Sequence, residues 1–129
     1  MKLKQFVKEF EVRFTDLNAG NHLSNHLMLG YITDYVSAFL AKHHFDYGNV
    51  FDHKVLFSRV NVDFKREVFE ADVVKVRVES SEVKSRKLIL NFVATVGDNI
   101  AAKTTHEICF LKDDRVVSID EDIANLFAC

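Results

Sequence analysis

Two hydrophobic periods divide the chain. Near the start, Phe6, Phe10, Val12 and Phe14 share one parity while Glu9, Glu11 and Arg13 hold the other, the alternation of a half-buried strand. From Leu23 the spacing lengthens to about 3.6. Leu23, Leu27, Tyr31, Tyr35 and Phe39 form one row, and Met28, Ile32, Val36 and Leu40 form the next. The spacing predicts a helix from Leu23 to about His44 that is apolar around most of its circumference and therefore wrapped by other structure. A narrow stripe of His26, Gly30, Thr33 and Ser37 stays polar or small, with Asp34 beside it, where burial would demand a partner. Ser24 or Asn25 is the expected N-cap, and His43 and His44 suit the C-terminal turn.

After a loop over residues 46–54, marked by Gly48-Asn49, period two returns four times. Val60, Val62 and Phe64 define one strand, and Val74, Val76 and Val78 the next. Leu88, Leu90, Phe92, Ala94 and Val96 line a third, which ends at the Gly97-Asp98-Asn99 turn. Ala102, Thr104, His106, Ile108 and Phe110 line a fourth. Residues 115–119 suggest a short edge strand and residues 120–127 a terminal helix. An early wrapped helix followed by consecutive strands on short turns is an α+β pattern with an antiparallel sheet folded around the helix. No linker or repeat interrupts residues 1–129, which are expected to form a single domain.

Charge removes several functional classes. The 17 basic and 19 acidic residues are well mixed and leave a formal charge of −2, so nothing marks a nucleic-acid or anionic-membrane binder. The N-terminal residues hold no signal-peptide core, and no apolar run approaches the roughly 20 residues of a spanning helix. Cys109 and Cys129 are too few for a disulfide framework, so a reduced, cytoplasmic setting is expected.

The chemistry concentrates between the first strand and the helix. Asp16, Asn18, Asn21, His22, Ser24 and Asn25 crowd one turn, and so many polar side chains near a buried helix must be satisfied or used. A helix start supplies unpaired N–H groups and a positive dipole end able to polarise a carbonyl. His22 has the residue type of a general base, with Asp16 as its orienter or as a base acting through water. The amide of Asn18 can orient water but cannot take a proton. His22 and His26 share i, i+4 spacing, but no Glu at position 23 completes a zinc motif, and His53 or His106 as third ligand has no support in spacing. Cys109 alternates with Phe110 and reads as a structural thiol.

The segment Arg13-Phe14-Thr15-Asp16-Leu17-Asn18 through His22-Leu23-Ser24-Asn25 resembles the first strand, turn and central helix of hot-dog-fold acyl thioesterases, the 4-hydroxybenzoyl-CoA and acyl-ACP thioesterase group. That pattern runs Arg-Phe-x-Asp-x-Asp-x-x-x-His-Val-Asn-Asn. Arg13, Phe14, Asp16, His22 and Asn25 match it without a gap. Asn18 stands where the family has its second Asp, and Ser24 where it has the first Asn. The resemblance implies hydrolysis of an acyl-CoA or acyl-ACP thioester, no cofactor beyond coenzyme A within the substrate, and a homodimer or homotetramer. It places Asp16, Asn18, His22 and Asn25 in catalysis. Ser24, Tyr31, Lys65 and Arg66 are assigned to substrate binding, the two cations meeting coenzyme A phosphates; Lys84, Arg86 and Lys87 offer a further basic rim. Two rivals remain. A non-hydrolytic acyl-binding protein fits the loss of the carboxylate at Asn18. An enoyl hydratase pattern, Asp-x-Asn-Pro-x-His, begins at Asp16 but lacks the Pro and meets its His one residue late.

Overall fold

The computed structural model describes all 129 residues. β1 (Val7–Glu11) leads through a short 3-10 turn at Phe14–Asp16 into α1 (Asn25–Lys42). β2 (Lys54–Phe64), β3 (Val73–Lys84), β4 (Lys87–Val96) and β5 (Asn99–Lys112) follow, then β6 (Arg115–Val116) and α2 (Glu121–Leu126). The strands form one antiparallel sheet in the order β1-β3-β4-β5-β2, with β6 paired to β5. The helix lies in the concave side of this curled sheet, as the two hydrophobic periods require. Tyr35, Phe39, Ile32 and Leu40 are fully buried against Val74, Val76, Leu88, Leu90, Phe92 and Phe110. His26, Gly30, Thr33 and Ser37 are exposed, as the sequence stripe predicts. Asp34 is exposed too, so it carries no burial cost and needs no partner.

Three register shifts break strand parity, one of them between β4 and β5 at Ala94/Thr95. In β2 the register slips between Phe57 and Arg59, so Val55 and Phe57 face the helix side with Val60, Val62 and Phe64 despite the odd-to-even change. This hidden continuity is why β2 starts at Lys54, inside the expected loop, rather than near Arg59. A second slip between Val78 and Ser80 does the same for β3. Phe14 departs from its expected inward parity: β1 ends at Glu11, the chain turns, and the Phe14 ring is 71% exposed. The edge strand expected over residues 115–119 shrinks to two residues. α2 begins as expected, with the Asp120 carboxylate accepting from the Ile123 N–H at 2.9 Å.

β2 closes the sheet on one side with an unpaired edge. Leu56, Val60 and Phe64 on it are 47%, 38% and 47% exposed. No helix is long and apolar enough to cross a membrane.

Candidate active site

The turn before α1 is built by its own backbone. Asn18 N–H donates to His22 O at 2.9 Å, and Asn21, at φ 63°, donates back to Asn18 O at 3.0 Å. The Asn18 side-chain oxygen accepts from Gly20 N–H at 2.8 Å, an Asx turn that fixes which way the amide points. A Cβ at Gly20 would sit 2.9 Å from His22 Nε2, so glycine there lets the imidazole pack against the turn. Leu23 N–H bonds Val68 O at 2.6 Å, drawing the segment after β2 alongside the helix start.

Ser24 occupies the N-cap position, but its hydroxyl makes no capping bond; its own N–H donates to Asp16 O at 3.1 Å. Leu27 N–H turns back to Ser24 O at 3.0 Å. The N–H groups of Asn25 and His26 donate to no protein acceptor. They are the orphan donors of a helix start, at the positive end of its dipole.

A cavity of about 230 Å³ opens on this helix start. His22, Ser24 and Asn25 form one wall, Lys65, Arg66 and Glu67 the other, and Met28 and Phe64 supply apolar surface. His22, Ser24 and Asn25 thus meet the two cations singled out in the sequence, although they are some forty residues apart in the chain. Glu67 was not anticipated. The only signal for it was its position directly after Lys65-Arg66, where it reads as one more rim charge.

Glu67 Oε1 lies 3.8 Å from His22 Nε2, and the Glu67 side chain is exposed. On the other side of the ring, Asn18 Nδ2 lies 3.4 Å from Nδ1. Because Gly20 holds the amide oxygen, the amide presents N–H groups to Nδ1. With Nδ1 accepting, Nε2 is the nitrogen left to donate, on the side of Glu67. Asn18, Nδ1 and Nε2–H form a chain that aims at the carboxylate.

Asp16 and Tyr31 do not reach this cavity. The buried Asp16 carboxylate accepts from Arg13 N–H at 2.9 Å and from the Arg13 guanidinium at 3.2 Å. The backbone hydrogen bond from Arg13, seconded by its guanidinium and opposed by burial, holds this carboxyl below the usual carboxylate range, which makes it a weak base. Both Asp16 and Tyr31 line a different hollow, beside β1. His26 is exposed, and no three His, Cys, Asp or Glu side chains converge as metal ligands would. Lys84 ends β3 and Arg86 lies on the β3–β4 turn, while Lys87 bonds Glu107 at 2.6 Å on the outer sheet face. Cys109 Sγ donates to Ser58 Oγ at 3.4 Å in the same region, away from the helix start.

No curated protein matches the chain in sequence. Solved structures match it along nearly its whole length. A gentisyl-coenzyme A thioesterase superposes with a TM-score of 0.80 at 22% identity, covering 95% of this chain and 99% of that one. A Thermus thermophilus thioesterase complexed with coenzyme A and zinc gives a TM-score of 0.78 at 22% identity, over 98% and 94% of the two chains. A 1,4-dihydroxy-2-naphthoyl-CoA thioesterase from Synechocystis gives a TM-score of 0.78 at 12% identity, over 94% and 93%. These likenesses establish the hot-dog fold. The sequence profile of the thioesterase-like superfamily matches residues 12–127, from the end of the first strand through the C-terminal helix, and the chain therefore belongs to that superfamily.

Proposed function

We propose that the protein hydrolyses an acyl-CoA thioester to the free acid and coenzyme A. An acyl-ACP thioester fits the same chemistry. The observation that carries this reading is the unpartnered N–H of Asn25 at the start of α1, beside a cavity that also holds an imidazole and a carboxylate. A thioester carbonyl oxygen set against that helix start is polarised, and a well-placed donor contributes a few kcal/mol once the oxygen becomes an oxyanion.

The sequence offers His22 and Asp16 as bases; only His22 lines the cavity, and its ring proton faces Glu67. In the proposed mechanism Glu67 takes the proton of the attacking water while His22, held by Asn18, keeps the carboxylate in place. Collapse of the tetrahedral intermediate breaks the C–S bond, and the thiolate recovers the proton from Glu67. Lys65 and Arg66, at the cavity mouth, suit the phosphates of coenzyme A. The amide at Asn18 thus orients an imidazole where the family pattern has a carboxylate, and the negative charge comes from the other wall.

The open edge of β2 supports a homodimer: two copies pairing there would bury the exposed Leu56, Val60 and Phe64 and satisfy the unpaired backbone. The native protein is assayed for thiol release against a panel of acyl-CoAs, with Glu67→Gln and His22→Ala in parallel. The expected result is turnover that falls about 100-fold or more in Glu67→Gln, with melting temperature little changed. Saturable acyl-CoA binding without thiol release by the native protein would sink the hydrolase and favour the acyl-binding rival.

A further inference from the structure

The candidate cavity is open at its rim and closed beneath. Leu23, Met28 and Val68 are 5%, 2% and 3% exposed and belong to the buried core, while Phe64 at the rim is 47% exposed. Met28 stands three residues after Asn25, so the two lie on one face of α1, and a helical side chain leans back toward the N-terminus. The Met28 thioether therefore forms the floor below the helix start, next to the place where the thioester carbonyl would rest. It takes no part in the proton transfers proposed above, but it sets how deep a substrate can reach.

The depth is small. The cavity measures about 230 Å³, below the roughly 300–1,000 Å³ of sites that bury drug-sized ligands. At about 30 Å³ for each water-sized group, there is room for about seven or eight non-hydrogen atoms. The thioester's own carbon, oxygen and sulfur take part of that room, which leaves about four or five atoms for the rest of the acyl chain. With Lys65 and Arg66 meeting the phosphates, the apolar surface left for that chain is Phe64 and Met28. A longer chain would pass outward over Phe64 into water, where added methylenes gain nothing. A second copy on the β2 edge would bury Phe64 and narrow the rim without deepening the floor, because Met28 is already buried by its own chain.

We infer that the substrate is a short-chain acyl-CoA, with an acyl group of about five or six carbons, and that Met28 is the residue that sets this limit. The inference rests on the hydrolase reading and deepens it. A long fatty acyl group would require the thioether to be displaced and Leu23 and Val68 to be parted from the core. Each methylene that fits should raise kcat/KM about fourfold, and the gain should stop where the chain meets Met28.

The test is kcat/KM for straight-chain acyl-CoAs from acetyl to dodecanoyl. An optimum near pentanoyl or hexanoyl is expected, with dodecanoyl about tenfold or more below it. Met28→Ala, which removes the outer part of the side chain, should move the optimum longer by about two or three carbons, and Met28→Phe should move it shorter. Leu90→Ala, buried on β4 away from the cavity, should lower the melting temperature without moving the optimum, which separates specificity from destabilisation. If Met28→Ala fails to fold, Met28→Phe and the native profile decide. A native optimum at octanoyl or beyond, or an optimum that Met28 variants do not move, overturns the inference while leaving hydrolysis in place. Thiol release from no acyl-CoA at all overturns the hydrolase reading, and the inference with it.

Discussion

His106 should make the protein acid-labile in a window that no carboxylate explains. The ring is 1% exposed, set edge-on between Phe57 and Phe92 at centroid distances of 5.3 and 5.2 Å, with Thr104 Oγ1 at 3.3 Å from Nδ1. Burial among these groups disfavours the charged form and lowers the pKa from 6.5 to about 4. The unfolded chain therefore takes up a proton near pH 6.5 that the folded chain refuses until about pH 4. Stability is unaffected by this group above the unfolded value and declines as pH falls from there toward the folded one. At about 1.4 kcal/mol per pH unit, the loss is about 2 kcal/mol at pH 5 and about 3 kcal/mol at completion. Asp16, whose pKa is lowered from 3.8, contributes stability that is present above that value and disappears only at lower pH, so its window lies beneath this one. Urea unfolding of the native protein and of His106→Leu at pH 7.5, 6 and 5 separates the effects. The native chain should lose about 2 kcal/mol across the series while the variant loses much less, whatever its stability at pH 7.5. Parallel pH dependences for the two proteins would refute the reasoning, because the proton would then be binding elsewhere.

Three further outcomes follow from the packing. The Tyr35 hydroxyl donates to Phe6 O at 2.6 Å and reaches Leu3 O at 3.2 Å from a fully buried ring; Tyr35→Phe should cost about 1–3 kcal/mol in denaturant unfolding and loosen the N-terminal segment in hydrogen exchange. Gly30 sits in the interior of α1 with open space at its Cβ position, so Gly30→Ala should raise stability by up to about 1 kcal/mol, and a lower melting temperature would count against that account. If β2 pairs with its counterpart in a second copy, Leu56→Lys with Val60→Lys should yield monomers by sedimentation, whereas Lys75→Glu on β3 should not.

The helix and most of the sheet were legible because a single period governs each of them. The stripe His26, Gly30, Thr33, Ser37 even identified which side of α1 faces out. Legibility failed where period two is broken by an inserted residue: Ser58 in β2 and Glu79 in β3 reset the parity, so the alternation of Val55 and Phe57 did not join that of Val60, Val62 and Phe64. It failed at Phe14, where local alternation could not reveal that the strand had already ended. In the site, the turn residues announced themselves by density of hydrogen-bonding groups, whereas Glu67 could be recognised only once the Leu23–Val68 bond brought the two segments together. The separation of Asp16 from His22 was equally invisible, since neighbours on a turn can point to opposite sides of it.

Both ends of the chain dock at the far end of α1. Met1 O lies 3.1 Å from His43 Nε2, and Phe127 packs on Phe39 while its carbonyl accepts from Ser81. The 18-residue helix separates this end from the candidate cavity by about 27 Å. An affinity tag, surface tether or fused reporter joined at residue 1 or 129 would emerge on the side remote from the candidate cavity. Immobilised protein should therefore keep its mouth unobstructed, while a linker that strips Leu3 or Phe127 from its seat would melt the anchorage rather than block the chemistry.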